Sequence, residues 1–209
     1  MSTSAERRAG LLDRLLVWPQ YLLPQQLLTR CVHRAVRWRW PPWKNALIRG
    51  FMRLYRVDTG WAEAADCNHD ADFAGFFVRG LRPGSRPLQG DARTVVSPAD
   101  GSLLQVGEIS EDCLPQAKGL RLPVGELLAG SGVEAAPYSG GAFITVYLSP
   151  RDYHRVHAPL AGQLDALSYL PGRLFAVNGP ATRVVPRLFA RNQRLLFLLH
   201  TDAGGMVVL

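Results

Sequence analysis

The 209-residue sequence contains no Cys-x-x-Cys pair. Its three cysteines, Cys31, Cys67 and Cys113, are far apart and odd in number. That excludes a disulfide framework and a cysteine-built zinc site, and it fits a reducing compartment. No window reaches the roughly 18 apolar residues of a transmembrane helix. The apolar stretches near the N-terminus are short, are broken by Pro19 and Pro24, and lead to no small-residue cleavage site, so they do not read as a signal peptide. Internal repeats, low-complexity tracts and recognised nucleic-acid motifs are also missing. These absences predict a protein made and kept in the cytoplasm, free or surface-bound.

What is present is ordinary in bulk and uneven in distribution. Apolar residues make up 47% and charged residues 20%, as in a globular protein. The length suits one domain plus a smaller appendage. The net charge is +7. Residues 1–60 hold 11 Lys/Arg against 3 Asp/Glu, and residues 61–209 hold 13 against 14. All the basic character therefore lies in the N-terminal segment, which marks it as a docking element beside a neutral body.

The spacing of Leu11, Leu12, Leu15 and Leu16 predicts a helix over residues 5–17. Leu27, Leu28, Cys31 and Val32 continue the pattern, with Arg30, Arg34, Arg37 and Arg39 beside them. Four of five tryptophans, Trp18, Trp38, Trp40 and Trp43, fall in this segment. Short helices carrying arginine and tryptophan suit an anionic membrane interface. The same leucines could instead pack the segment onto the body as a helical cap. Pro41-Pro42 interrupts the helices, and a further helix runs from Trp43 to about Tyr55.

From about Thr94 the texture turns strand-rich, with Thr94-Val-Val, Leu103-Leu-Gln-Val and Phe143-Ile-Thr-Val-Tyr-Leu between Gly and Pro turns. Leu122–Ala129 reads as a short helix. Arg194–His200 reads as a buried strand, Thr201–Gly205 as a turn, and Met206–Leu209 as the start of another strand. The expected architecture is α+β. A basic amphipathic helical segment over residues 1–60 precedes a strand-rich, barrel- or sandwich-like domain over residues 61–209. The abrupt apolar end predicts a chain cut at its C-terminus.

Two constellations can carry chemistry. Tyr147-Leu-Ser-Pro-Arg-Asp-Tyr-His-Arg-Val-His-Ala-Pro159 places two of the five histidines, His154 and His157, among Arg151, Asp152 and Arg155. Histidine is the side chain best suited to moving protons near neutral pH. A metal site is disfavoured, because no Cys or Glu completes a ligand set. Val96-Ser-Pro-Ala-Asp-Gly101 holds Asp100, which alone reads as a turn former. Beside a histidine base it could supply the partner that fixes tautomer and orientation.

These segments, with Gln116-Ala-Lys-Gly119, Pro171-Gly-Arg-Leu-Phe-Ala-Val-Asn178 and Leu188-Phe-Ala-Arg-Asn-Gln-Arg194, occur in an order and spacing that resembles the phosphatidylserine decarboxylase family. The resemblance covers essentially the whole chain. Ala176 departs from it, since the family usually carries serine there. The resemblance implies a proenzyme that splits itself at a Gly-Ser bond and converts the serine to a covalent pyruvoyl group, the electron sink for decarboxylation. It implies His157 as the base that activates the serine, Asp100 as its orienting partner, and His154 as the residue serving decarboxylation or substrate placement. It further implies phosphatidylserine as substrate and phosphatidylethanolamine and carbon dioxide as products. The place implied is peripheral, on the cytoplasmic face of the inner membrane, with anionic phospholipid as the docking surface.

The three Gly-Ser pairs, at Ser85, Ser102 and Ser131, lack the family's Leu-Gly-Ser-Thr context. The expectation is that the pyruvoyl-forming serine lies beyond Leu209, in a C-terminal portion (the alpha chain) that would be this chain's partner. The 209 residues alone are then expected to be inactive. Two alternatives stay open: an inactive membrane-binding remnant, and a related pyruvoyl decarboxylase acting on another amine.

Overall fold

In chain order the protein forms α1 (Leu11–Val17), α2 (Pro19–Leu22), α3 (Gln25–Val36), α4 (Pro41–Tyr55), α5 (Phe73–Phe77), β1 (Ser102–Glu108), β2 (Cys113–Ala117), β3 (Leu120–Pro123), α6 (Val124–Leu128), β4 (Ala142–Tyr147), β5 (Gln163–Leu170), α7 (Gly179–Val184), α8 (Leu188–Arg191), β6 (Arg194–Thr201) and β7 (Gly204–Val208). The computed structural model describes residues 9–63, 69–117 and 120–209. Cys67 and the Lys118-Gly119 half of the Gln116–Gly119 motif lie outside the described residues.

Prolines set the helix boundaries. Pro19 opens α2 and Pro41 opens α4, each in the first turn, where a missing N–H costs nothing. Pro41-Pro42 therefore starts a helix that was expected to begin at Trp43. Asp72 caps α5 by accepting the Gly75 N–H at 2.9 Å, and Asn178 caps α7 by accepting that of Ala181 at 3.1 Å. Among the described residues no helix is long and apolar enough to cross a membrane.

The architecture is α+β, with helices first and small sheets after. β5, β6 and β7 form an antiparallel sheet running from Leu170↔Arg194 to Gln163↔His200, and from Thr201↔Gly204 to Phe197↔Val208. β2 and β3 form an antiparallel hairpin, and β1 pairs with β4. No closed barrel forms among the described residues. Thr94–Val96, expected as a strand, is not one. Its ladder-like bond, Val96 N–H to the Pro159 carbonyl at 2.8 Å, is followed by only one more between the two segments, from His157 N–H to the Pro98 carbonyl. The expected helix over Leu122–Ala129 is shortened to Val124–Leu128, because its first residues pair in β3.

The chain divides into two compact units. One comprises residues 1–26, 104–145 and 162–209. Its cores are Val17, Phe175, Ala181, Val185 and Leu188, and Ile109, Val124, Leu128 and Leu196. Gln116 ties this unit together. Its Nε2 donates to the carbonyls of Thr182 (2.9 Å) and Val185 (2.8 Å), and its Oε1 accepts the Leu188 N–H at 2.7 Å. One buried amide thus satisfies backbone groups at the end of α7 and the start of α8, which would otherwise be orphaned. Asp13 of α1 pairs with Arg183 of α7 at 2.7 Å. Val17 and Tyr21 join the core, but Leu11, Leu12, Leu15 and Leu16 are exposed. The leucines do not serve as the packing face that a helical cap requires.

The other unit comprises residues 27–103 and 146–161. Ile48 is fully buried, and Phe51 of α4 meets Phe73, Phe76 and Phe77 of α5 edge-on. Trp38 lies 5.7 Å from Trp40 and 5.9 Å from Trp43, ring centre to ring centre. Leu27, Leu28, Val32, Trp38 and Trp40 are exposed.

Candidate active site

Asp100, His154 and His157 belong to the same unit. Their segments are joined by two backbone bonds: His157 N–H to the Pro98 carbonyl and Val96 N–H to the Pro159 carbonyl, each 2.8 Å. Gly101 permits the close approach. A Cβ there would lie 2.5 Å from the Tyr147 carbonyl oxygen and 2.9 Å from Val146 Cγ1, so any side chain would push the turn away from β4. The Ser149–Asp152 turn is fixed from within, with Ser149 N–H donating to Asp152 Oδ2 at 2.7 Å. Asp152 is therefore a turn former.

The two histidines are treated differently. His157 is exposed, and its Nε2 is 2.9 Å from the Tyr153 hydroxyl, with the two rings stacked 5.5 Å apart. Tyr153 is buried and meets the edge of Trp61 at 5.6 Å. The Asp100 carboxylate turns to Arg86, which donates through Nε at 2.9 Å and Nη2 at 2.5 Å. The structure thus brings the Asp100 and His157 backbones together while giving their side chains separate partners. The bond to Asp100 also raises the Arg86 pKa above its ordinary value.

His154 stacks on Phe77, ring centres 4.0 Å apart and 21° from parallel. Its Nε2 is buried and has no hydrogen-bond partner among the described residues. Burial pushes its pKa below 6.5, and the charge of Arg79 pushes the same way; bonds to the backbone of Ser149 and Pro150 and the charge of Asp152 oppose this. A neutral imidazole held against an aromatic face can take a proton at neutral pH without first losing one.

Sequence reasoning passed over Trp61, Phe77, Arg79 and Arg86. The guanidinium carbons of Arg79 and Arg86 lie over the Trp61 ring, at 4.4 and 5.6 Å from its centre. Arg86 sits in the turn-rich Arg82–Pro87 and reads locally as solvent-facing. The one available signal was Phe76-Phe77-Val-Arg79, an arginine ending an aromatic run.

Comparison with known proteins gives the family. The phosphatidylserine decarboxylase family model matches residues 73–209, and a second model, described as PSD, matches residues 15–56. The chain is 47% identical over 196 residues to the phosphatidylserine decarboxylase proenzyme of Pseudomonas aeruginosa (strain LESB58), covering 94% of this chain and 68% of the relative. The corresponding proenzyme of Methylococcus capsulatus is 47% identical over 201 residues, covering 96% and 70%. That of Bordetella bronchiseptica is 45% identical over 196 residues, covering 94% and 66%. The chain belongs to the phosphatidylserine decarboxylase family, which are carboxy-lyases.

Proposed function

We propose that this chain carries the histidine-bearing part of an enzyme that converts phosphatidylserine to phosphatidylethanolamine and carbon dioxide. The observation that carries the reading is the match over 94% of the chain to named proenzymes, with both histidines in one structural unit. In this reading His157 takes the proton from the serine hydroxyl during self-cleavage, and Asp100 orients it. Arg86 and His157 can share Asp100, because an ionised carboxylate accepts about four hydrogen bonds. His154 takes up a proton at its Nε2 and returns it as the imidazolium.

The residues present fit a pyruvoyl site. A neutral, buried imidazole nitrogen without a partner among the described residues can take up a proton and, as the imidazolium so formed, return it to a decarboxylated carbon. The pyruvoyl group, when formed, supplies the electron sink. In this reading its serine lies beyond Leu209, in the alpha chain. Ser85 and Ser131 donate their hydroxyls to the carbonyls of Trp61 and Leu128, which supports neither as the nucleophile. The 209 residues alone are then inactive.

The exposed leucines of α1–α3 and the net +8 of residues 1–60 support peripheral docking on an anionic bilayer, read as the cytoplasmic face of the inner membrane. Each basic residue near such a surface contributes about 1 kcal/mol.

The test joins residues 1–209 to the C-terminal third of the Pseudomonas aeruginosa relative. Cleavage is followed on gels and phosphatidylethanolamine by mass spectrometry. His157→Ala is expected to abolish cleavage. His154→Ala is expected to cleave but not to decarboxylate. Cleavage by the His157 variant, or phosphatidylethanolamine made by the unextended chain, would overturn the assignment.

A further inference from the structure

Arg79 is 4% exposed, so its charge is buried. Its Nη1 donates to the Phe76 carbonyl at 3.3 Å, and its guanidinium lies over Trp61 and Phe76, at 4.4 and 4.9 Å from the ring centres. Nε and Nη2 are buried without a hydrogen-bond partner among the described residues. These two nitrogens form one edge of the guanidinium, the fork that fits two oxygens of a carboxylate or phosphate. A buried cation is costly unless an anion or aromatic faces offset it. Here the aromatic faces offset part, and Asp70 and Asp58 act on it only through space.

His154 Nε2 and Ser149 Oγ of the same unit are also buried without a hydrogen-bond partner among the described residues. They are linked to Arg79 through α5. Phe76 lies under the guanidinium, and its neighbour Phe77 stacks on His154. The His154 ring is bonded to the Ser149 backbone, and it feels the Arg79 charge. An arginine fork, an imidazole nitrogen and a hydroxyl thus have no hydrogen-bond partner among the described residues around one short aromatic helix.

We infer that the Nε–Nη2 edge of Arg79 binds an oxyanion of the phospholipid headgroup, its carboxylate or its phosphodiester, and so sets substrate specificity beside His154. This rests on the substrate class proposed above. Both nitrogens are shielded from water, so the anion reaches them through a local shift of the surrounding side chains.

The test is an NMR titration of the Arg79 Nε–H signal in the ¹⁵N-labelled chain, assigned through its own backbone. Glycerophosphoserine carries both anions, glycerophosphoethanolamine only the phosphodiester, serine only the carboxylate, and ethanolamine neither. A saturable shift is expected with glycerophosphoserine and with one single-anion probe, which names the source, and none with ethanolamine. Arg79→Lys keeps the charge but loses the fork, and is expected to bind glycerophosphoserine about tenfold more weakly. No shift with glycerophosphoserine, or unchanged affinity in a folded Arg79→Lys protein, overturns the inference. If that variant fails to fold, the wild-type titration decides alone. An extended precursor that decarboxylates while the Arg79 signal stays silent would sink this inference and leave the proposed reaction standing. Binding at Arg79 without decarboxylation would do the reverse.

Discussion

Arg86 holds Asp100 through two of its nitrogens, at 2.9 and 2.5 Å, while His157 four residues past Tyr153 takes that tyrosine's hydroxyl instead. The arginine–aspartate pair is partly open to solvent, so its removal matters little to stability. Arg86→Ala is expected to cost under about 1 kcal/mol in urea unfolding. Asp100→Asn in the extended precursor is expected to slow self-cleavage more than Arg86→Ala does. Equal cleavage rates would remove Asp100 from the proposed role.

His154 makes the unfolding equilibrium depend on pH. Its folded pKa is held below 6.5, chiefly by burial, so below that pH the unfolded chain takes up a proton that the folded chain refuses. Stability should therefore fall as pH drops from 7 towards the folded pKa. Asp70, whose carboxyl is raised by burial, acts in the opposite direction at lower pH. The comparison is thus made above about pH 5. Urea midpoints against pH should slope less in His154→Gln than in the wild type; identical slopes would contradict the buried, neutral imidazole.

Gln116 is the most consequential single amide. Gln116→Leu leaves two carbonyls and one N–H without partners in a buried place, and is expected to cost about 2–4 kcal/mol. Gln116→Glu should cost at least as much, because a carboxylate oxygen then faces the Thr182 and Val185 carbonyls. Thermal melts of the two variants test this.

Two glycines should respond with opposite signs. Gly101→Ala forces a Cβ to 2.5 Å from the Tyr147 oxygen, and a loss of about 2–3 kcal/mol is expected. Gly50 lies inside α4 with open space where a Cβ would go, so Gly50→Ala should gain about 0.5–1 kcal/mol. Chemical denaturation of both proteins reads the pair.

The leucines of α1 separate docking from folding. Leu12 and Leu16 are 70% and 58% exposed, so Leu12→Glu with Leu16→Glu should leave the melting temperature unchanged. Sedimentation with phosphatidylglycerol vesicles should fall sharply, and wild-type binding should weaken with salt. Val17→Glu is the contrast: it places a charge in a fully buried position and should unfold the unit. Unchanged sedimentation of the double variant would argue that the leucines do not meet lipid.

How much of this was legible in the sequence depended on the range of the interaction. Helices α1, α3 and α4 follow from apolar spacing and proline placement, both local, whereas the four-residue α2 falls where Pro19 was read as a break. The strands over residues 103–106, 143–147 and 194–200 follow from short apolar runs between turns. The short helices α7 and α8 were missed, because four to six residues give no periodicity and their ends are satisfied by Gln116, some 70 residues away. The histidines stood out by residue type, and Asp100 only once set beside them. Their partners did not: the Arg86 and Tyr153 bonds, and the burial of Arg79 against Trp61, depend on how the chain folds back. Around Arg79 the aromatic run Phe76-Phe77 was the one local hint of a buried arginine.

The bond between Asp13 and Arg183 spans 170 residues, and Val17 and Tyr21 join a core built from residues 175–189. On a ribosome adding 5–20 residues per second, α1 emerges about 10–30 seconds before that core exists. During that interval its whole surface, Val17 included, is without a home in the protein. Synthesis therefore opens a time window in which whatever meets the first helix, chaperone or bilayer, does so without competition from the fold, and the docked arrangement is the last state the N-terminus can reach.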